Sequence, residues 1–259
     1  NIGPWFVRNG MANDDKGGIY VVSGSHMQRV QWTGKKLSLS PEDGAWVVTY
    51  PNENHRGSGT TPTLMGWGEG SDRLVLIGDA SRRLNFVAYW RDEIPADWKG
   101  IEGQPRRVAG IVPVSFDDDE EKPVQTESSP IVKGYGAFIG NMEPAKAVIK
   151  QDGQGRQLTA DLYSYLLPGY APRGGIKTQW DPKTRTFERA WVSSDYSVTG
   201  SVCSISGASN LIYCLGVRDG IYTLEGIDWD SGESAFHYGL GSSHRYTIMG
   251  GAVRAAPNG

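Results

Sequence analysis

Two His-Arg dipeptides stand in front of strand-like runs. His55-Arg56 precedes the run that reaches Met65-Gly66, and His244-Arg245 precedes the run that reaches Met249-Gly250. An imidazole ligates a metal or serves as a general base near neutral pH, and a guanidinium holds a carboxylate or phosphate through paired hydrogen bonds. At equivalent positions of a repeat, both pairs would project onto one rim and form an anion or metal site. The competing reading makes His-Arg a loop element of the repeat whose side chains bond to neighbouring backbone. A second set is aromatic: Trp67, Trp90, Trp180, Tyr163, Tyr165 and Tyr170 are of the kind that stacks on sugars or other flat ligands. Packing between sheets uses the same residue types. No Gly-x-Ser-x-Gly elbow, His-Glu-x-x-His, phosphate-binding glycine loop or Cys-x-x-Cys pair occurs, so no motif-defined enzyme class is supported.

The elements that must carry these residues are short strands. Glycine (35 residues) and tryptophan (9) are abundant in the 259-residue chain, while long Ala/Leu/Glu/Lys segments with helical spacing are almost absent. That balance favours many strands joined by tight turns. The clearest unit covers 197–240, with strand-like runs at 198–205, 211–217, 220–227 and 233–240 separated by Gly, Asn, Asp and Ser turns. Four antiparallel strands in that length match a propeller blade. A first blade is laid on 4–13, 18–23, 27–33 and 44–50, and a second on 61–67, 73–79, 84–90 and 108–116. A third takes 130–140 as its first strand and 175–181 and 187–193 as its last two, and a fifth unit begins at Tyr246. The fold expected is therefore all-β, an antiparallel β-propeller with about five blades visible, in one domain over 1–259 with an insertion at 141–173. Two readings of closure stay open: a ring of about five blades, or part of a larger propeller, which repeat logic favours. The phrase Gly-Ile-Tyr recurs at 18–20 and 220–222, followed by Trp32 and Trp229, as if marking equivalent blade positions.

The formal charge of −3 is small and both signs are scattered, which removes the electrostatic argument for nucleic acid. No apolar run is long enough to span a bilayer. The run Asp117-Asp118-Asp119-Glu120-Glu121 reads as a solvated loop, although a carboxylate cluster also collects Ca²⁺. If a hairpin turns at Ala208-Ser209, Cys203 faces Cys214 across two strands, and either a disulfide or two buried thiols follows. The disulfide would point to an oxidising, extracytoplasmic compartment, periplasmic or secreted.

Arg8-Asn9-Gly10-Met11-Ala12, followed by Asp14-Asp15-Lys16-Gly17-Gly18-Ile19-Tyr20-Val21, resembles the propeller repeat of the gluconolactonase and strictosidine-synthase-like families. In that repeat the Asn-Gly-hydrophobic-Ala run starts the innermost strand. The resemblance implies that Asn9 is a ligand for a divalent cation such as Ca²⁺ in the central channel, as in the lactonase-type members. More loosely, Asp181-Pro182-Lys183-Thr184-Arg185 before Trp191, and Asp230-Ser231-Gly232-Glu233 before Phe236, are similar to the turn of the quinoprotein-type repeat. Two functions follow as expectations. One is a scaffold that binds a small molecule or a protein through the channel rim and the 141–173 insertion, with His55, Arg56, His244, Arg245, Tyr165 and Tyr170 as binding residues. The alternative is a metal-dependent hydrolase of the lactonase type acting at the channel.

Overall fold

The computed structural model describes residues 5–53, 55–68, 70–116, 124–145, 150–151, 157–158, 166–198, 201–247 and 251–253. Among them the chain is all-β, with 3-10 turns as the only helical elements. The class expected from composition therefore holds: among the described residues one five-stranded and three four-stranded antiparallel sheets, compatible with propeller blades, stand beside two two-stranded pairs. No helix among the described residues is long and apolar enough to cross a membrane. The chain divides into two compact units. The first takes the described residues of Asn1–Ser115, Glu121–Ile139 and Lys177–Ala190, and the second those of Phe116–Glu120, Gly140–Ile176 and Trp191–Gly259.

The first sheet comprises β1 (Ala12–Asn13), β2 (Gly18–Val22), β3 (His26–Trp32), β4 (Leu37–Ser38) and β5 (Trp46–Thr49). Both β4 and β5 pair with β3, β4 at Gln31 and Trp32 and β5 at His26 to Arg29. Between them the chain leaves the sheet in a 3-10 turn, Pro41–Asp43, capped by the Ser40 side chain at one end and by Gly44 at φ 91° at the other. A left-handed residue is needed there to end the turn, and glycine adopts it without a Cβ penalty.

The second sheet runs β6 (Thr63–Met65), β7 (Leu74–Gly78), β8 (Asn85–Trp90) and β9 (Val108–Pro113) in order. Every residue of β7 is buried and so is every residue of β8 after Asn85. This is why both read as continuous apolar runs rather than alternating ones. Tyr20, Met27, Val75, Ile77, Val87 and Tyr89 meet in the core of the first unit. At about 1.5–3 kcal/mol for each large apolar side chain withdrawn from water, this cluster is its principal source of stability. The ladder between β8 and β9 shifts register after Ala88, which pairs with Gly110 while Tyr89 pairs with Val108. Ala109 is thus the extra residue of a bulge, a device that re-aims neighbouring side chains.

The third sheet corrects one expectation. Residues 130–140 are not one strand but a hairpin of β10 (Ile131–Lys133) and β11 (Gly136–Gly140), turned at Gly134 with φ 59°. It continues, after the short pair β12 (Lys150–Gln151) and β13 (Gln157–Leu158), to β14 (Gly175–Asp181) and β15 (Thr186–Ser193).

The fourth follows the expected outline. β16 (Ser201–Val202) precedes the sheet of β17 (Ser204–Ser206), β18 (Leu211–Arg218), β19 (Ile221–Asp228) and β20 (Ser234–Gly241). Its central turn places Asp219 and Gly220 at φ 49° and 77°, and two positive φ values match the twist of a two-residue hairpin. Ser206 pairs with Leu211 and Ser204 with Tyr213, so the next step outward sets Cys203 opposite Cys214, and the two are joined in a disulfide. The segment after Tyr246 contributes β21 (Gly251–Ala252), which pairs in parallel with β16.

The repeated Gly-Ile-Tyr phrase takes different places in its two copies. It opens β2, the second strand of the first sheet, but β19, the third strand of the fourth. Tyr20 and Tyr222 are both buried, whereas Trp32 is 46% exposed and Trp229 only 4%. What recurs is local, a glycine turn followed by an inward tyrosine, and the downstream tryptophans are not equivalent.

Candidate functional site

A cleft of about 1040 Å³ is lined entirely by residues of the first unit. Its outer wall is apolar and exposed, with Trp5, Leu39 and Val47 at 61%, 74% and 54% exposure beside Pro41 and Pro95. Its deep wall carries Arg29, Trp46, Arg73, Trp90 and Arg107. The excursion between β4 and β5 supplies Pro41 and Gly44 and the start of β5 supplies Val47, while the ends of β8 and β9 supply Trp90, Asp92 and Arg107.

A buried network fixes the deep wall. Asp14 Oδ1 accepts from the backbone N–H groups of Lys16 and Gly18, each at 2.8 Å, and Oδ2 accepts from the Tyr20 hydroxyl at 2.7 Å. Arg29 donates from Nε to the Tyr20 oxygen at 3.0 Å and from Nη1 to the Gly44 carbonyl, and its Nη2 lies 3.8 Å from Asp14 Oδ2. Burial opposes ionisation of Asp14. The hydrogen bonds from Tyr20, Gly18 and Lys16, together with Arg29, outweigh it and hold the carboxyl below its ordinary range. The tyrosine hydroxyl is pushed well above its ordinary value by burial and by the Asp14 hydrogen bond.

Arg107 is held differently. Its Nη1 donates to the carbonyls of Trp90 and Asp92 at 2.9 and 2.8 Å, and its guanidinium lies 4.8 Å from the centre of the Trp46 ring. Trp46 is anchored in turn by Nε1 donating to the Arg91 carbonyl at 3.0 Å. Burial, with a smaller push from the like charge of Arg29, brings the Arg107 guanidinium down to about 10. Among the described residues no carboxylate pairs with it, whereas Arg29 has Asp14 and Arg73 has Asp15 and Asp92. Next to it, Trp90 Nε1, Arg91 Nε and Nη1, and Asp92 Oδ1 are buried with no hydrogen-bond partner. Arg91 Nε and Asp92 Oδ1 stand 3.9 Å apart, within ion-pair range but beyond hydrogen-bond reach.

No family model matches the chain. It is 36% identical over 259 residues to an uncharacterized protein of Archaeoglobus fulgidus, an alignment covering 98% of the chain and 49% of that protein. The chain thus spans about half the length of the curated relative it matches. Among solved structures it is similar to a protein from Lactobacillus plantarum, with TM-score 0.32, 12% identity, and 92% of this chain and 71% of that one covered. It is also similar to the extracellular domain of a hybrid two component system from B. thetaiotaomicron, with TM-score 0.29, 11% identity, and coverage of 90% and 28%.

Of the described first-unit residues singled out by sequence, Trp90 is among those lining the cleft. Asn9 Nδ2 donates to the Ser58 carbonyl at 3.5 Å, and Arg8 donates to the Arg56 carbonyl and to both carboxylate oxygens of Glu127. The N-terminal segment therefore brings Asn9 and Arg56 into one neighbourhood, where a cavity of about 10 Å³ lies between Arg8, Arg56, Asp79 and Glu127. His55 is exposed on a turn, at φ 57°. In the second unit His244 and Arg245 are exposed in a 3-10 turn, and the Arg245 guanidinium lies over Tyr246 at 5.0 Å. Tyr170 ends the 3-10 turn Pro168–Tyr170 and is half-buried. Tyr163, Tyr165 and the acidic run 117–121 lie outside the described residues. Among the described residues no group of three or more His, Cys, Asp or Glu is placed to hold a metal ion. Of the aromatic set, Trp90 is buried edge-on against Trp98 and Trp180, and Trp67 is 57% exposed with the Arg91 guanidinium 4.8 Å away.

One signal for the cleft was present in the sequence. Along β3 the buried face carries Met27, Arg29 and Gln31 in strict alternation. A charge on the inward face of a strand needs a partner or a purpose.

Proposed function

We propose that the chain is an extracytoplasmic binding scaffold whose first unit takes a small molecule in the cleft between the β4–β5 excursion and the ends of β8 and β9. The observation that carries this reading is a concavity of ligand size whose deep wall sets buried Arg29 and half-buried Arg73 and Arg107, each held by protein partners, beneath an exposed apolar lip. Recognition sites have this composition: apolar surface for affinity, a few preorganised polar groups for orientation. The Cys203–Cys214 bridge supports the oxidising compartment.

The test is a thermal-shift screen of small polar and amphipathic compounds on the wild type and on Val47→Trp. Val47 is an exposed residue of β5, so an indole there narrows the cleft without entering the core. Hits that raise the melting temperature of the wild type and lose that effect in the variant support the reading. Hits that stabilise both proteins equally place binding elsewhere and end it.

A further inference from the structure

The cleft contains an imbalance that says what its ligand carries. Lys16, Arg29, Arg73 and Arg107 face Glu42, Asp72, Asp92 and Glu93, so the formal charges of the lining cancel. Their pairings are unequal. Asp92 Oδ2 is shared by Lys16 at 3.1 Å and Arg73 at 3.5 Å, and Arg29 is matched by Asp14. Asp72 accepts from the Trp180 indole at 3.0 Å. Arg107 alone among these cations has no carboxylate, and only its Nη1 is engaged, by two carbonyls. Its half-buried guanidinium is held over the Trp46 ring and by those carbonyls, with its remaining N–H groups unbonded to protein.

We infer that Arg107 is the recognition residue for a ligand carrying a single carboxylate on an apolar body, the carboxylate meeting the arginine fork and the body lying against Trp5, Leu39 and Val47. This rests on the cleft being the binding site. The planar fork suits a carboxylate in two-point contact, and its orientation is already fixed, so little side-chain entropy is lost on binding. A monoanion is selected because Glu42, Asp72, Asp92 and Glu93 line the same cleft. One negative charge restores balance at Arg107, while a dianion such as a phosphate monoester adds repulsion from four carboxylates. The apolar lip sets the rest: exposed Trp5, Leu39 and Val47 gain by being covered.

The experiment is isothermal titration calorimetry at neutral pH with three probes of one shape: 2-naphthoate, 2-naphthalenemethanol and 2-naphthyl phosphate. The wild type should bind naphthoate about tenfold or more tightly than either of the others, the gain of one well-made charged pair. Arg107→Met should bring naphthoate down to the affinity of the alcohol and leave the alcohol unchanged. Arg107→Lys, which keeps the charge and loses the fork, should retain only part of the preference. Glu42→Gln with Glu93→Gln changes exposed side chains alone and should raise the affinity for naphthyl phosphate. Equal affinity for acid and alcohol in the wild type, a phosphate that binds tightest, or a preference that survives Arg107→Met would each overturn the inference. Acid and alcohol bound equally, and both lost in Val47→Trp, would leave the cleft standing without its carboxylate. Absence of heat with all three probes would remove both readings.

Discussion

Asp14 is the residue on which the deep wall of the cleft depends, and its replacement has a calculable cost. Its side chain is fully buried and serves two backbone N–H groups, the Tyr20 hydroxyl and the Arg29 guanidinium. Asp14→Ala orphans the three hydrogen-bonded donors and leaves Arg29, itself 7% exposed, without its counter-charge. Each buried orphan costs about 1–3 kcal/mol, and removing one member of a buried ion pair costs about 3–5 kcal/mol. The effects overlap, because all act through one carboxylate, so a loss of about 3–5 kcal/mol is expected rather than their sum. Asp14→Asn keeps one oxygen for the Lys16 and Gly18 N–H groups and gives up the charge, for about 1–2 kcal/mol.

The pH dependence separates charge from shape. Burial works against the ionised carboxylate, but its hydrogen bonds and Arg29 prevail and its folded value is depressed. Asp14 therefore contributes stability that is fully present above the unfolded carboxyl value and is lost as pH falls through the folded one. Urea unfolding followed by circular dichroism should find the gap between wild type and Asp14→Asn constant from neutral pH to about pH 5 and shrinking below about pH 4. An Asp14→Ala protein as stable as the wild type would refute the network, and a gap that persists undiminished in acid would refute its electrostatic part.

Two further outcomes are expected. Replacing Cys203 and Cys214 with serine opens a loop with a sequence separation of 11, and chain entropy alone assigns such a bridge about 3 kcal/mol. The double variant should melt at a lower temperature than the oxidised wild type and show no response to reductant, whereas equal melting would mean the bridge constrains nothing. Millimolar CaCl₂ should change the melting of the wild type and of Asn9→Ala no more than MgCl₂ does. A calcium-specific rise that Asn9→Ala abolishes would instead support a metal-dependent hydrolase of the lactonase type.

What the sequence made legible was turn chemistry. The fourth sheet was readable because Asp219-Gly220 and the polar residues at 207–210 announce their hairpins, and the alternation between them sets a register that carries Cys203 to Cys214. The hairpin within 130–140 was missed because its turn is only Gly134-Tyr135, set in a run whose flanks look like one strand. The two Gly-Ile-Tyr phrases misled for a related reason. A glycine turn followed by an inward tyrosine satisfies local sterics at any hairpin, and it carries no information about which strand of a sheet it opens.

The cleft was harder to see because it arises where the sheets depart from their template. Regular four-stranded sheets would carry β3 along a single outer partner and β9 in unbroken register with β8. Here the outer partner of β3 breaks between Ser38 and Trp46, and β9 takes an extra residue at Ala109. The first departure opens a wall and lines it with Pro41 and Gly44, and the second shifts the register beside the strand start that Arg107 immediately precedes. Neither has a compositional signature, since a split strand and a bulge each look like ordinary strand sequence. Their energetic trace is visible: Arg29, on the inward face of β3, is costly in a closed sheet and is tolerated here in the cleft wall, where Asp14, Tyr20 and the Gly44 carbonyl hold it. Closing the break between β4 and β5 with a shorter connection would therefore abolish binding and also strand Arg29, whose Nη1 depends on the carbonyl of Gly44 at the end of that excursion.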